Sequence, residues 1–308
     1  MTDLTDFQKE ISACLPEIEL RFQESLAKHT SFRIGGEAEV MAFPKTAGEL
    51  SQILNLSKFL GRKPVILGAG TNVLAPDEGI PGLVICLKDC LDGCERLEGN
   101  RIRLMAGVTM SRGAVFAASQ NMGGLEFAHG IPGTIGGGVY MNAGAYGGEM
   151  SQVLESARIL KASGDVAQVS ATELDMRYRH TSLMDQGGVV LSAIFLLKPD
   201  EPERIAARMA DYSQRRREKQ PLQYPSSGSF FKRPEGYFAG KLIQDAGLKG
   251  ASVGGAQISE LHAGFLINRG NATANDVLAL MGKVQNEVQA RFGVKLEPEV
   301  RIIGEDER

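Results

Sequence analysis

The feature of this chain that most constrains its fold is a run of glycine near its middle. Residues 123–148 read GGLEFAHGIPGTIGGGVYMNAGAYGG and contain ten glycines. Glycine adopts positive φ at little cost and has no Cβ, so such a segment can turn several backbone N–H groups toward one ligand. Apolar and turn-forming residues interrupt the glycines, which distinguishes the segment from a flexible linker. A loop of this kind is suited to holding phosphate.

A second, shorter segment indicates the same chemistry. An apolar strand predicted at about 64–68 runs directly into Gly68, Ala69, Gly70, Thr71 and Asn72. Strand ends that open into small polar residues often bind phosphate or ribose. Neither the dinucleotide-binding fingerprint nor a P-loop is present. A tight turn between buried strands explains any single glycine equally well, so the prediction of a phosphate-bearing ligand depends on the two segments together.

The length and charge limit the class of protein. The chain has 308 residues, enough for two or three domains, and its formal net charge is −3, which gives no general attraction for nucleic acid or an anionic membrane. The amino terminus lacks a signal-peptide pattern, and no apolar run approaches the roughly 20 residues of a membrane span. We therefore expect a cytoplasmic protein, and nothing in the sequence indicates a required protein partner.

The cysteines are consistent with that compartment. Cys14, Cys86, Cys90 and Cys94 are expected to be reduced thiols. The last three are evenly spaced, but no fourth ligand and no nearby histidine accompany them. We therefore expect no metal site.

The order of helices and strands predicts an α+β fold. Thr46 and Glu49 form a capping-box pattern, which begins a helix that runs to about residue 61. Further strands are expected at 82–87, 101–106, 154–160, 166–169, 188–197, 262–268 and 294–303, and further helices at 111–121, 203–217, 237–246 and 273–292. The basic run Arg215, Arg216, Arg217 and Lys219 is interpreted as a solvated helix end.

Three polar clusters lie outside these elements and could carry chemistry. They are residues 177–182, which read RYRHTS, residues 226–233, which read SSGSFFKR, and residues 296–301, which read LEPEVR. For the first two clusters an ordinary turn is the simpler interpretation. In the third, Glu299 lies in an apolar terminal segment, where a carboxylate either faces water or is buried with a partner.

Seven motifs, in one order across nearly the whole chain, resemble those of a known family. They are HTSFRIGG at 29–36, GAGTN at 68–72, EFAHGIPGTIGG at 126–137, NAGAY at 142–146, YRHTS at 178–182, GSFFK at 228–232 and PEVR at 298–301. Together they resemble the UDP-N-acetylenolpyruvoylglucosamine reductases, the MurB flavoenzymes of bacterial peptidoglycan synthesis. The chain is similar to their shorter, type II form, because residues 236–268 leave no room for the extra loop of the longer type.

The resemblance implies a fold and a division into domains. The fold is the FAD-binding fold of the vanillyl-alcohol-oxidase (PCMH) type, in two subdomains, followed by a C-terminal α+β substrate-binding domain. We place the two FAD-binding subdomains at 1–68 and 69–200 and the substrate-binding domain at 201–308. The last strand is expected to return to the FAD region.

The resemblance also implies the cofactors and the reaction. NADPH would reduce a noncovalently held FAD, and the reduced flavin would convert UDP-N-acetylglucosamine enolpyruvate to UDP-N-acetylmuramate for cell wall biogenesis. The FAD pyrophosphate is expected against the backbone of the two glycine segments. The residues assigned to the cofactor are Gly68, Ala69, Gly70, Thr71, Asn72, Gly133, Thr134, Gly136, Gly137, Gly138 and Asn142.

Matching the motifs assigns the polar clusters to the sugar nucleotide. Arg179 and Glu299 would polarise the enolpyruvyl carboxylate and the developing enolate, and Ser229 would donate the proton. If Glu299 is protonated, it can donate a hydrogen bond to the enolate. The residues assigned to substrate binding are Tyr178, Lys219, Lys232 and Lys241, with Arg233 and Tyr146 available nearby.

One residue departs from the expected pattern. Position 129 carries histidine where the family resemblance leads us to expect a small residue. We expect His129 to pack or hydrogen-bond near the flavin without a covalent bond to it. Two other functions remain open: a flavin oxidase of the same fold that acts on an alcohol or sugar, and a noncatalytic nucleotide-binding module.

Overall fold

The computed structural model describes residues 4–304. Its α-helices are α1 (Asp6–Cys14), α2 (Ala47–Phe59), α3 (Met110–Ser119), α4 (Ile135–Tyr140), α5 (Leu183–Gln186), α6 (Pro202–Lys219), α7 (Ala239–Asp245) and α8 (Ala274–Phe292). Short 3-10 helices lie at Leu26–His29, Glu126–Ala128 and Met150–Gln152. The mixture of helices with mainly antiparallel sheets confirms the α+β prediction.

The strands are distributed over several small sheets. They are β1 (Glu19–Ser25), β2 (Glu37–Phe43), β3 (Val65–Leu67), β4 (Val73–Leu74), β5 (Ile80–Cys86), β6 (Cys94–Arg96), β7 (Arg101–Met105), β8 (Met122–Gly123), β9 (Gly144–Ala145), β10 (Gly148–Glu149), β11 (Leu154–Leu160), β12 (Val166–Ser170), β13 (Val189–Leu196), β14 (Lys198–Pro199), β15 (Ser226–Ser229), β16 (Ser252–Val253), β17 (Ala256–Ile258), β18 (Phe265–Asn268) and β19 (Arg301–Ile302).

The chain forms two compact units, and each draws on separate stretches of sequence. The described residues of the first unit are 4–21, 40–69 and 82–216, and those of the second are 22–39, 70–81 and 217–304. This grouping differs from the three consecutive segments expected from the sequence. Most of α6 belongs to the first unit, whereas residues 70–81 belong to the second.

The first unit contains a five-stranded antiparallel sheet in the order β12-β11-β13-β7-β6. The central strand β13 has six of its eight residues buried, in the pattern expected of a strand covered on both faces. The predicted hairpin is present, with Leu160 opposite Val166 and Ser156 opposite Ser170. The first unit also contains a parallel pairing of β3 with β5, in which Val65 lies opposite Val84 and Leu67 lies opposite Cys86.

Helix α4 lies within the glycine-rich segment, where the sequence predicted only a loop. The Thr134 side chain caps it by accepting the Gly137 N–H at 3.3 Å. A Cβ on Gly136 would lie 3.0 Å from the Ala106 Cβ, and one on Gly138 would lie 2.6 Å from the Met110 Sδ. Several of these glycines therefore serve close packing of α4, which a sequence of glycines does not reveal.

The second unit has a four-stranded antiparallel sheet, β15-β18-β17-β16, and the helices α7 and α8. Its core includes Phe32, Phe230, Leu266, Val277 and Leu280, all buried. Helix α8 begins at a capping box of Thr273 and Asp276 and ends at Gly293 with φ +67°. The helix predicted at 273–292 is thus confirmed.

Two parts of the sequence prediction need correction. The predicted terminal strand at 294–303 is reduced to β19, which pairs in parallel with β4. The residues before β19 instead run beside 230–232, where Pro298 interrupts regular pairing. Helix α1 and strands β1 and β2 were not predicted at all. Within residues 4–304, no helix is both long enough and apolar enough to cross a bilayer.

Candidate active site

The two glycine segments predicted to bind phosphate meet in the first unit. A Cβ on Gly68, at the end of β3, would lie 3.0 Å from the Thr134 Oγ1 at the start of α4. Gly68 can therefore approach the capping threonine closely because it has no side chain. The end of a predicted strand and the beginning of α4, a helix that the sequence did not predict, are brought to the same place.

The backbone donors of the glycine segment are only partly available to a ligand. The N–H groups of Ile135 and Gly136 donate to Val108 O and Ala106 O, at 2.8 and 2.9 Å. The N–H of Gly138 donates to Thr134 O at 2.8 Å. The Gly137 N–H is bonded to the threonine cap. Within 133–138, only the N–H groups of Gly133 and Thr134 therefore have no acceptor among residues 4–304. Fewer backbone N–H groups of this segment are available to the FAD pyrophosphate than the sequence predicted.

One helical glycine differs from its neighbours. Gly137 is exposed, and the nearest atom to a Cβ built on it is the Thr134 Oγ1 at 3.6 Å, an ordinary contact. Packing within the described chain does not require glycine there. Open space beside free N–H groups at a helix start fits a phosphate-bearing ligand that lies against the main chain.

Asn142 has a structural role that the sequence did not reveal. Its side chain is completely buried. It donates to Arg177 O at 2.9 Å and to Glu149 Oε1 at 3.2 Å, and it accepts the Ser151 N–H at 2.9 Å. Since these bonds satisfy the amide, Asn142 does not offer its side chain to a cofactor. It fixes the backbone of the glycine segment instead.

Arg179 lies at the tip of a tight turn in the first unit. Arg177 and His180 exchange backbone hydrogen bonds at 3.0 and 3.1 Å, and Arg179 has φ +52°. Its guanidinium donates to Gly144 O at 3.1 Å and lies 5.2 Å from the centre of the Tyr178 ring. The turn thus holds both predicted residues next to the segment that Asn142 organises.

In the second unit the structure brings Ser229 and Glu299 into adjacent segments. The Glu299 N–H donates to Phe230 O at 2.8 Å, and the Lys232 N–H donates to Glu297 O at 2.8 Å. Asn72 donates its side-chain amide to Glu299 O at 3.0 Å. Ser229 is exposed, and Gly228 before it has φ +81° with open space around it. Asn72, predicted to bind cofactor, therefore also supports the backbone of Glu299.

The predicted substrate lysines lie on three different elements of the second unit. Lys219 ends α6 and is exposed. Lys232 follows the Ser229 segment and lies 3.4 Å from Glu297, while Lys241 in α7 lies 2.6 Å from Asp245. Exposed ion pairs of this kind contribute about 0–1 kcal/mol, so an anionic ligand can compete for either lysine.

Comparison with known proteins identifies the family. A family model described as the C-terminal domain of UDP-N-acetylenolpyruvoylglucosamine reductase matches residues 220–303, and one described as an FAD binding domain matches residues 38–170. The UDP-N-acetylenolpyruvoylglucosamine reductase of Agathobacter rectalis is 47% identical over 310 residues, which cover 97% of this chain and 98% of that relative. The chain belongs to the UDP-N-acetylenolpyruvoylglucosamine reductase family.

Other relatives support the same assignment. The reductase of Clostridium novyi is 44% identical over 306 residues, with 99% of each chain covered. The crystal structure of the reductase from Thermus caldophilus, termed MurB, has a TM-score of 0.78 at 34% identity and covers 93% of this chain and 98% of its own. The resemblance inferred from the seven motifs is confirmed. The protein is an FAD-dependent oxidoreductase of this family, and the FAD-binding fold is confirmed with it.

The groups at the meeting of the two glycine segments fit FAD. Four backbone N–H groups there have no acceptor among residues 4–304: those of Gly68, Ala69, Gly133 and Thr134. Gly137 leaves space beside them. Backbone donors at a helix start are the chemistry that a pyrophosphate requires. These residues of the first unit are therefore the ones that would hold the cofactor. Gly70 in the second unit instead packs against residues 29–31, and its carbonyl accepts the Ser31 N–H at 2.9 Å.

One polar group of the first unit was not predicted from the sequence. Arg216, interpreted as part of a solvated helix end, is half-buried against Gly130, whereas Arg215 on the same turn is exposed. Tyr212, one turn earlier, stacks on Tyr146 with ring centres 4.7 Å apart. The signal was present in the spacing, because Arg208, Tyr212 and Arg216 recur every four residues and so share one face of α6.

Proposed function

We propose that the chain catalyses the NADPH-dependent reduction of the enolpyruvyl group of UDP-N-acetylglucosamine enolpyruvate to give UDP-N-acetylmuramate. The observation that carries the proposal is the pairing of the Ser229 segment with the Glu299 segment through the Glu299 N–H and Phe230 O, 2.8 Å apart. This pairing places an exposed hydroxyl and a carboxyl on neighbouring backbones. When bound, FAD supplies a two-electron carrier between a reduced nicotinamide and a carbon–carbon double bond.

The residues of the chain would stabilise the negative charge and supply the proton. Negative charge that develops on the enolpyruvyl group requires donors, and the guanidinium of Arg179 is a fixed cation held at the tip of its turn. Glu299 acts on the same charge as a hydrogen-bond donor when its carboxyl is protonated. The Ser229 Oγ gives its proton to the carbon next to the one that receives hydride, and it regains a proton from solvent. Serine is a weak acid, so nearby cations such as Lys232 assist.

Sugar-nucleotide binding is assigned to the remaining cations and to Tyr178. The UDP diphosphate carries two negative charges and needs cationic partners. Lys219 and Lys241 are exposed, Lys232 is half-buried, and all three can reorient toward it. The half-exposed ring of Tyr178 offers a flat surface for sugar or base. The product would enter bacterial peptidoglycan precursor synthesis, as the family resemblance implies.

The first test is the visible spectrum of the purified protein under anaerobic conditions. We expect a flavin spectrum that bleaches with NADPH and returns when the enolpyruvyl sugar nucleotide is added. A protein that takes up no FAD would contradict the proposal. A flavin that returns to its oxidised spectrum only with air would instead indicate an oxidase.

Two variants of one segment test the role of Ser229. Ser229→Ala should keep bleaching by NADPH but slow recovery by the sugar nucleotide by about 10²–10⁴-fold, the range of general acid catalysis. The control is Ser227→Ala, which removes a buried hydroxyl without a hydrogen-bond partner two residues earlier. Equal recovery rates for the two variants would remove Ser229 from the mechanism. A Glu299→Gln variant that recovers nearly normally would support a neutral Glu299.

A further inference from the structure

Two nitrogen atoms in the first unit stand out because nothing in the described chain pairs with them. Four buried side-chain N or O atoms within residues 4–304 have no hydrogen-bond partner, and two of these atoms are hydroxyl oxygens. The two nitrogens are the Nδ1 of His129 and the Nε of Arg216. A buried polar atom left unpaired costs about 1–3 kcal/mol, so two of them in one place require an explanation.

The two nitrogens belong to the same corner of the glycine segment. A Cβ on Gly130 would lie 3.4 Å from the Nε of Arg216, so the guanidinium lies directly against the backbone next to His129. Gly130 has φ +88° and donates its N–H to the Ser111 Oγ at 3.0 Å. Its conformation and its donor are therefore fixed. Gly130 thus lies between His129 in the sequence and the Arg216 guanidinium in space.

No carboxylate among residues 4–304 pairs with the charge of Arg216. Burial lowers the pKa of the Arg216 guanidinium from its ordinary value, and the Tyr146 hydroxyl, which hydrogen-bonds it, has a smaller effect in the opposite direction. Arginine remains protonated in proteins, so the corner holds a partly desolvated cation. A cation in this position is stabilised by an anionic partner.

We propose that His129 and Arg216 form a pair of donors that receives an anionic oxygen or nitrogen of the bound FAD. The proposal rests on the FAD-binding function of the first unit. His129 lies inside the segment 38–170 matched by the FAD binding domain, four residues before the free N–H of Gly133. The imidazole donates from Nδ1 when the proton is on that nitrogen, and the guanidinium donates from Nε.

FAD offers two sources of negative charge, and the corner can serve either. The pyrophosphate is charged in every redox state. The isoalloxazine ring becomes an electron-rich acceptor when it is reduced. A donor pair at the pyrophosphate strengthens binding of both redox states equally, whereas a pair at the ring favours the reduced state and raises the reduction potential.

The test uses the holoenzyme and two readouts that do not depend on turnover. The first is the rate at which FAD leaves the protein after dilution, followed by the recovery of flavin fluorescence. The second is the midpoint potential of the bound flavin, measured by equilibration with a reference dye. The variants are Arg216→Gln and His129→Ala, and the matched control is Arg215→Gln, whose side chain is exposed and paired with Asp211.

We expect Arg216→Gln to release FAD about 10- to 100-fold faster than the wild type and His129→Ala about 3- to 10-fold faster. Arg215→Gln should behave as the wild type. An unchanged potential assigns the pair to the pyrophosphate. If binding of the reduced cofactor alone becomes tenfold weaker, the midpoint potential falls by about 30 mV. That result would assign the pair to the ring.

Several results would overturn the proposal. Release rates and potentials of both variants equal to those of Arg215→Gln would do so, and so would a rise in KM for the sugar nucleotide with FAD release unchanged. Flavin that remains on the protein after acid precipitation would show that His129 is bonded covalently instead. If Arg216→Gln does not fold, the FAD release rate and the potential of His129→Ala still test the proposal. A wild type that binds no FAD would contradict the proposed function itself, which separates the two failures.

Discussion

Two stretches of the glycine-rich region differ in whether the buried polar side chains around them have hydrogen-bond partners. Around Asn142 every polar atom of a fully buried amide is bonded, to Arg177 O, Glu149 and the Ser151 N–H. Around His129 and Arg216, two buried nitrogens have no partner in the described chain. The first stretch uses its polar groups to hold the backbone in place. The second keeps them available.

Helix α6 repeats this contrast two turns apart. Arg208 donates to the buried carboxylate of Glu126 at 3.1 Å and also bonds Asp200. Arg216, on the same face, has no carboxylate partner in the ion pairs of residues 4–304. The same residue type thus anchors the helix at one position and leaves a charge available at the other. A buried polar group in this region therefore indicates a ligand only if it has no hydrogen-bond partner within the protein.

The largest expected effect tests the paired stretch. Asn142→Ala removes three hydrogen bonds of a buried amide and should lower the free energy of unfolding by about 3 kcal/mol or more. The control is Asn121→Ala, because Asn121 also has positive φ, +55° against +43°, but is exposed. Urea unfolding of the two variants separates the lost bonds from the backbone strain that both share. Equal losses would show that the buried bonds contribute little.

Neighbouring glycines of α4 give the second test. Gly136→Ala places a Cβ 3.0 Å from the Ala106 Cβ and should destabilise the fold by about 1–2 kcal/mol. Gly137→Ala makes only an ordinary contact with the Thr134 Oγ1, at 3.6 Å, and should stabilise the helix by about 0.5–1 kcal/mol while weakening FAD binding. Thermal unfolding and FAD titration of both variants measure the two effects. A Gly137→Ala variant with normal FAD affinity would contradict the assignment of that face to the cofactor.

The smallest effect concerns the paired arginine and is expected to depend on pH. The hydrogen bond from Arg208, followed by that from the Glu201 N–H, holds the pKa of Asp200 below its ordinary value. A lowered pKa in the folded state contributes stability above the unfolded pKa of about 3.9, and this contribution is lost as the pH falls through the folded value. Asp200→Asn should therefore be less stable than the wild type at pH 7, and the difference should shrink as the pH falls below about 3.9.

The control for this comparison is Asp211→Asn, which removes the exposed partner of Arg215 on the same helix. Unfolding midpoints measured across the pH range should show little change for this variant at pH 7, as expected for a surface pair. If Asp200→Asn and Asp211→Asn follow the same pH curve, the Arg208 pair is no different from an ordinary surface pair.

The sequence predicted the elements whose signals are local. The capping pattern at Thr46 located α2, the hairpin around Ser163 and Gly164 gave β11 and β12, and Thr273 marked the beginning of α8. Residue patterns also identified the two glycine segments that meet at Gly68 and Thr134. These features depend on neighbours in the chain, so a single sequence contains them.

Features that depend on distant partners were not predicted. Asn142 and Arg177 are 35 residues apart, and Asn72 and Glu299 are 227 residues apart. No local pattern shows that these amides are already bonded. Helix α4 was missed because glycine disfavours helices, and contacts with Ala106 and Met110 outweigh that preference. The individual roles of Arg179, Ser229 and Glu299 remain predictions of the family motifs.

The discontinuous make-up of the second unit limits how such a protein can be cut or recombined. Phe32 is completely buried in the core of that unit, and β19 pairs with β4, yet both Phe32 and β4 precede residue 81. A fragment that begins near residue 217 would lack both, although the C-terminal family model starts at residue 220. Because the chain changes unit five times, neither unit can be exchanged as a single block of gene sequence. The two units must be inherited, expressed and refolded together.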